Sequence, residues 1–149
     1  MNYAALKREI ETDPLGRGYA GMTDQQIADS LNVANRTVVV PTVVGALGIM
    51  RLVGPMMGAG ILDKLEASAA SDSRLKWFLR ELTVNGIDLG NLITRAAIDE
   101  LVVAGVLTQT EAYRLKSAAE RAVTRAEELG LGVYPVSAQM VQTAREGSY

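Results

Sequence analysis

The most apolar part of the chain, residues 38–62, limits the possible folds more than any other segment, because Arg51 is its only charged residue. The segment is long enough to raise the question of a membrane span. A central arginine costs about 2.5 to 3.5 kcal/mol on insertion scales. Two prolines and five glycines also weaken any continuous helix. No membrane span is therefore expected, although a membrane-active phage protein that uses residues 43–61 is an alternative.

The Gly54-Pro55 pair within this segment predicts two short buried helices, over residues 42–53 and 56–70. The glycines expose backbone and allow another helix to approach closely, and the methionines supply adaptable apolar contacts. The segment is thus either the centre of the fold or a surface that becomes buried against a neighbouring subunit. The residues predicted for such an interface are Gly54, Met56, Met57, Gly58 and Gly60.

Periodicity and a capping motif define the N-terminal region. Apolar residues recur at spacings of three and four over residues 2–12, which predicts an amphipathic helix. Residues 13–22 contain a proline and three glycines and predict an irregular connection. Thr23 and Gln26 then form a capping box, because each side chain can satisfy a backbone N–H of the other residue. A second helix is predicted to run from there to about Asn32.

The segment QQIADSLNVANRTV, residues 25–38, is similar to the helix-turn-helix of bacterial regulators. In that motif a second helix of about three uninterrupted turns enters the major groove. Here the second helix would carry Arg36 as its only base and would stop at Pro41, which lacks a backbone donor and crowds the preceding turn. We therefore expect a helix end followed by an extended segment that includes Val38 and Val40. A small DNA-binding regulator is the alternative.

Two further helices are predicted in the next part of the chain. The first begins after Ser71 and ends at a left-handed stop, Asn85-Gly86, and the second covers residues 89–104. Trp77, the only tryptophan, is expected in the core or at an interface. The side chains predicted to face the core are Leu75, Phe78, Leu79 and Leu82 on the first helix and Leu92, Ile93, Ala96 and Leu101 on the second.

A second capping box, Thr108 with Glu111, predicts the longest helix, which should end just before Gly130. Small residues recur along it at spacings of three and four and would admit a partner helix at short distance. Ser137 then caps a short final helix to about Glu146. The small-residue seam is Ala112, Leu115, Ala119, Ala122, Ala126 and Leu129, of which Ala119, Ala122 and Ala126 are predicted to contact a neighbouring chain.

Cysteine and histidine are absent from all 149 residues, which limits the possible chemistry. Thiol nucleophiles, disulfides, thiolate or imidazole metal sites and the usual general base near neutral pH are missing. The net charge of −2 supplies no field that would attract nucleic acid or an anionic bilayer. We expect no catalytic site, no cofactor, no metal and no specific nucleic acid partner.

The acidic pairs in the chain also fail to form a catalytic constellation. Asp99 with Glu100, and Glu127 with Glu128, are adjacent residues on predicted helices, so the members of each pair point about 100° apart. Solvated helix faces explain them. The glycine-rich residues 16–21 lack the preceding strand and the Gly-Lys-Ser/Thr ending of a phosphate-binding loop.

The helical periods together predict an all-α fold of about six to eight helices in one compact, soluble domain over residues 1–149. Residues 1–37 supply a helix pair and loop, residues 38–70 the apolar glycine-rich segment, and residues 71–147 the C-terminal helices. A chain of this length suits one domain of ordinary size. The first ten residues lack the apolar stretch of a secretory signal, so synthesis in the cytoplasm is expected.

Residues 6–32 (LKREIETDPLGRGYAGMTDQQIADSLN) resemble the opening of small proteins encoded in tailed bacteriophages and prophages. The RAEELGLG sequence at residues 125–132, followed by a short helix, is also similar to this group. The N-terminal match is carried by Asp13-Pro14-Leu15, Gly18-Tyr19, Met22-Thr23-Asp24 and Leu31-Asn32.

This resemblance implies a role in a phage particle or its assembly, since genes of this kind tend to lie among head and tail genes. It brings no catalytic motif. We therefore expect a non-enzymatic structural component of a tailed-phage virion, at the head-to-tail connection or in the tail. Such a subunit would pack against copies of itself and against other virion proteins, and close-packing seams suit a repeated subunit in a ring.

Overall fold

The computed structural model describes residues 1–147 and 149, and within them the chain is predominantly helical. Nine α-helices lie in this part of the chain, together with one 3₁₀ turn and four short strands, so the fold is not purely α-helical. The elements are α1 (Tyr3–Thr12), the 3₁₀ turn (Tyr19–Gly21), α2 (Asp24–Asn32), β1 (Arg36–Val39), β2 (Val43–Val44), α3 (Ala46–Val53), α4 (Pro55–Ala69), α5 (Ser73–Val84), β3 (Ile87–Asp88), α6 (Leu92–Val103), α7 (Gln109–Ser117), β4 (Glu120–Val123), α8 (Arg125–Glu128) and α9 (Ala138–Glu146).

Contacts divide the chain into two compact units, Met1–Val38 with Ala122–Tyr149, and Val39–Arg121. In the first unit, α1 and α2 both pack against α9. The Asn32 side chain also exchanges two 2.8 Å hydrogen bonds with the backbone of Val136. The single domain expected over residues 1–149 stays a prediction. The core of this unit consists of Leu6, Tyr19, Ile27, Ala28, Leu31, Ala126, Leu131, Val136, Val141 and Ala144.

The predicted helix starts of the first unit are confirmed. Asn2 caps α1, Ser137 caps α9, and Thr23 and Gln26 form the expected capping box at α2. Asp13 stabilises the predicted irregular connection, because its carboxylate accepts 2.7 Å hydrogen bonds from the backbone N–H groups of Arg17 and Gly18. Local sequence signals therefore determine where these helices begin.

The second unit contains α3 to α7. Gly54 separates α3 from α4 with φ +96, a conformation that favours glycine, and Pro55 occupies the first turn of α4, where its missing N–H is tolerated. The predicted split at this pair is confirmed. The buried core of the unit consists of Val44, Ile49, Ile61, Leu65, Leu82, Ile87, Leu89, Ile98, Leu101, Leu107, Ala112, Leu115 and Ala119.

The first of the two predicted apolar helices starts later than expected, at Ala46 rather than at residue 42. Val43 and Val44 instead form β2, which pairs antiparallel with β3, with Val43 opposite Asp88 and Val44 opposite Ile87. The side chain of Asp88 accepts a 2.7 Å hydrogen bond from the backbone N–H of Thr42. This long-range pairing satisfies backbone groups that a longer helix would otherwise have used.

The predicted extended segment after α2 is confirmed, because Arg36–Val39 forms β1, which pairs with β4 in a second two-stranded sheet. The chain passes from one unit to the other within these two strands. A strand therefore occupies the place of the second helix of a helix-turn-helix. Arg36, the only base that such a helix would have carried, donates to Glu128 at 3.1 and 3.3 Å.

The prediction of one long helix up to residue 129 is wrong. The capping box of Thr108 and Glu111 does open α7, but the helix ends at Ser117, and residues Glu120–Val123 form β4. A further capping box, Thr124 with Glu127, then starts α8. The long-range pairing of β4 with β1 overrides the helical period of its alanines.

The predicted buried face of α6 is also wrong in part. Leu92 and Ile93, in the first turn of the helix that Asn91 caps, are 81% and 80% exposed. Ala96 is exposed as well, whereas Leu101 is buried as predicted, together with Ile98. The neighbouring helix α5 has its expected face, and Gly86 follows it with φ +79. No described helix is both long and apolar enough to cross a membrane.

Candidate interaction surface

One concave surface of the second unit is a groove. It has a volume of about 390 Å³ and lies between α5 and α6, with the C-terminal end of α4 and the following turn at one side. This volume is within the range of pockets that enclose compact ligands or a few side chains. Its apolar lining consists of Leu75, Phe78, Ala97, Leu101, Ala104 and Val106.

The rim of this groove is charged. Asp72 caps α5 by accepting a 2.9 Å hydrogen bond from the backbone N–H of Arg74, and it also accepts from the guanidinium of Arg74 at 3.1 and 3.3 Å. Hydrogen bonds from Arg74 lower the pKa of Asp72, and Asp72 in turn raises the pKa of Arg74. Both groups therefore stay charged, and they largely neutralise each other.

Glu100 is the third charged group on the rim of the groove. It is exposed and, within the described residues, makes no ion pair, although its charge is close enough to act on Arg74. Because Asp72 and Arg74 offset each other, the rim has a net negative charge that is carried by Glu100. The groove thus combines an apolar floor with one uncompensated carboxylate.

Most of the large apolar side chains that are exposed lie in the unit Val39–Arg121. Large apolar side chains that are exposed in this way are candidates for contact with another molecule. Trp77 is one of them: it is 61% exposed, with the guanidinium of Arg80 5.4 Å from its ring centre. Trp77 is therefore not a core residue. The others are Val39, Val43, Leu47, Leu52, Met56, Val84, Leu92, Ile93, Val103 and Tyr113.

The predicted interface residues around the start of α4 are divided between interior and surface. Gly58 is buried, and a Cβ added to it would lie 2.5 Å from Cα of Met50, so this glycine allows α3 and α4 to approach each other. Met57 packs partly against the core. Met56 is 89% exposed, and Gly54 and Gly60 have no atom within 4 Å of an added Cβ. The exposed members thus stay candidates for contact with another chain.

The predicted alanine seam does not exist as one helical face. Ala119 precedes β4, Ala122 lies within it, and Ala126 lies on α8. Ala119 and Ala126 are fully buried, each in the core of a different unit, while Ala122 is exposed. The steric reason for assigning these alanines to an interchain contact therefore disappears for the two buried residues.

Glu9 and Glu111, the buried charged residues of the described chain, each form an ion pair within their own unit. Arg125 donates to Glu9 at 2.7 and 2.8 Å and to Glu128 at 2.8 Å. In the second unit, Lys64 pairs with Glu111 at 2.7 Å and Lys116 with Asp99 at 2.6 Å, rather than with the nearest charges along α7. Among the described residues, no group of acidic side chains is arranged to hold a metal ion.

The groove was missed at the sequence level, although a signal for it exists. Ala97, Leu101 and Ala104 recur at spacings of four and three on α6, which is the pattern of one helical face. Leu92 and Ile93 indicated a different buried face, because α6 is apolar on more than one side. A helix that is apolar on several sides does not reveal which side is covered within its own chain.

No protein-family model, no curated protein and no solved structure matches this chain.

Proposed function

We propose that this protein is a structural subunit of a tailed-phage virion, located at the head-to-tail connection or in the tail, which acts by packing against copies of itself and other virion proteins. The observation that carries the packing role is the concentration of exposed apolar side chains in the unit Val39–Arg121. The phage assignment depends on the resemblance of residues 6–32 to small phage and prophage proteins.

The exposure of apolar side chains within a nearly uncharged segment supports a packing role. The apolar segment at residues 38–62 has one charged residue, yet Leu47, Leu52 and Met56 within it are exposed. Leaving such side chains in water forgoes about 1.5 to 3 kcal/mol for each that could be fully buried. Contact with another chain would recover part of this free energy.

The test is assembly, measured in two ways. Light scattering coupled to size-exclusion chromatography, over a range of protein concentrations, should detect an oligomer of the purified chain. Mass spectrometry of purified phage particles from a host that carries the gene should detect the chain as a component. A protein that stays monomeric up to about 1 mM, a concentration at which even weak complexes form, and that is absent from particles would contradict the proposal.

A DNA-binding regulator is the alternative that the same sample can test. The structure has a strand at Arg36–Val39, and Arg36 is paired with Glu128. We therefore expect no sequence-selective binding of duplex DNA at physiological salt. Submicromolar, selective binding that is lost in Arg36→Ala would favour the regulator instead.

A further inference from the structure

We infer that the groove between α5 and α6 of one copy of this chain receives the exposed face of α3 of the next copy. This inference rests on the proposed self-assembly and names the two surfaces that would carry it. Both surfaces belong to the unit Val39–Arg121, so each copy presents one groove and one α3 face.

The groove has the features of a site for an apolar group that is accompanied by a positive charge. Leu75, Phe78 and Leu101 provide a floor from which water would be displaced. Asp72 on the rim forms an ion pair with Arg74. The carboxylate of Glu100 has no ion-pair partner among the described residues, although its charge acts on Arg74. A partner that buries an apolar side chain and places a cation near Glu100 would satisfy both features.

The exposed face of α3 supplies that combination within the same chain. Leu47 is 70% exposed, and Arg51 follows it by four residues, so the two side chains lie on one side of the helix. Arg51 is exposed and makes no ion pair within the described part of the chain. It is also the only charge in residues 38–62. An apolar side chain and an unpaired cation are therefore presented together.

Electrostatic complementarity selects this occupant over other apolar faces of the unit. The exposed face of α6 presents Leu92 and Val103 with Asp99, which is already paired with Lys116. Trp77 on α5 is accompanied by Arg80, which lies over its ring. On α3, Arg51 has neither an ion-pair partner nor a ring contact within the described residues, and together with the exposed Leu47 it matches the negative charge of Glu100.

The geometry of such a contact has a consequence for assembly. The two surfaces are different parts of the chain. A two-fold dimer forms the contact twice, with each groove receiving α3 of the other copy, whereas a head-to-tail arrangement forms it once between successive subunits. Repeated heterologous contacts generate a closed ring if the rotation closes, and an open filament if it does not. The subunit number of the wild type distinguishes these assemblies from the two-fold dimer.

A charge exchange tests the pairing. Glu100→Arg and Arg51→Glu should each weaken self-association at least about tenfold, because each places like charges in contact. The double variant should return to within about threefold of the wild type, because the opposite charges are restored in reversed order. The control reversals are Glu66→Arg on α4 and Arg114→Glu on α7, two exposed residues outside both surfaces. Sedimentation equilibrium gives the dissociation constants, and circular dichroism verifies that each variant is folded.

A steric variant provides a second test. Ala97→Met fills the groove and should abolish self-association without a change in the helical spectrum, whereas Ala96→Met, on the adjacent exposed position of α6, should leave it unchanged. Loss of assembly in Ala96→Met alone would overturn the inference in favour of the outer face of α6. If the wild type assembles but neither charge reversal weakens it, the groove assignment fails while the proposed function stands. A monomeric wild type would instead refute the proposed self-assembly itself.

Discussion

Arg125 and Glu9 form a two-point ion pair between residues that are 116 positions apart in the chain, with Nε and Nη2 donating to the two carboxylate oxygens at 2.8 and 2.7 Å. Both side chains are largely removed from solvent. The remaining guanidinium nitrogen donates to Glu128, and these hydrogen bonds raise the pKa of Arg125. The pair joins α1 to α8 within the first unit.

Arg125→Ala should lower the free energy of unfolding by about 3 to 5 kcal/mol, because it leaves the buried carboxylate of Glu9 without its partner. Glu9→Ala should cost less, because Arg125 keeps its contact with Glu128. Urea unfolding at neutral pH measures both. Arg145→Ala, which removes an exposed ion pair with Asp24, is the control and should change stability by less than about 1 kcal/mol. Equal effects of Arg125→Ala and Arg145→Ala would contradict this account.

Gly58 and Gly60 flank Ala59 in α4, yet their substitutions should act in opposite directions. Gly58→Ala places Cβ 2.5 Å from Cα of Met50, and this backbone atom can yield only if α3 shifts. We expect a loss of about 1 to 3 kcal/mol. Gly60→Ala meets no atom within 4 Å and should stabilise the helix by about 0.5 to 1 kcal/mol. Thermal unfolding of both variants decides between these outcomes, and equal effects would show that α3 and α4 do not meet at Gly58.

The alanines that the sequence assigned to one helical seam should respond differently to enlargement. Ala119→Leu and Ala126→Leu overfill two fully buried sites and should each cost about 1 to 3 kcal/mol. Ala122→Leu lies on an exposed position of β4 and should change stability by no more than about 0.5 kcal/mol. Denaturant unfolding of the three variants tests the break in the helix. Similar losses of stability at all three positions would indicate that the three alanines lie on one buried helical face.

The helix starts could be predicted because the signals are local. The capping boxes of Thr23 and Thr108 each act over three residues, and both form as expected. The capping box of Thr124 and Glu127 was also present in the sequence, but the uninterrupted period of alanines masked it. The end of α7 could not be predicted in the same way, because β4 is held by a strand from a distant part of the chain.

The candidate site was harder to predict than the fold. Helical periodicity identifies apolar faces but does not distinguish a face covered by the same chain from one covered by a partner. Gly58 is an internal packing residue, whereas Met56, two positions earlier, is exposed. The groove depends on the relative placement of α5 and α6, which no local motif specifies.

Glu111 links the start of α7 to α4, and its contribution should disappear in acid. Burial opposes its charge, but hydrogen bonds from Lys64 at 2.7 Å and from the backbone N–H of Thr108 at 2.8 Å outweigh burial and lower its pKa below the ordinary value of 4.5. As the pH falls, the unfolded chain binds the proton first, so this stability is present above pH 4.5 and is lost as the pH falls through the folded-state pKa.

Glu111→Gln keeps the capping geometry but removes the charge. The variant should therefore be less stable than the wild type at pH 7, with a difference that shrinks as the pH falls below 4.5. Urea unfolding across this range measures the difference, with Glu66→Gln, at an exposed site on α4, as the control that should show none. A difference that stays constant with pH would mean that Glu111 acts through its shape rather than its charge.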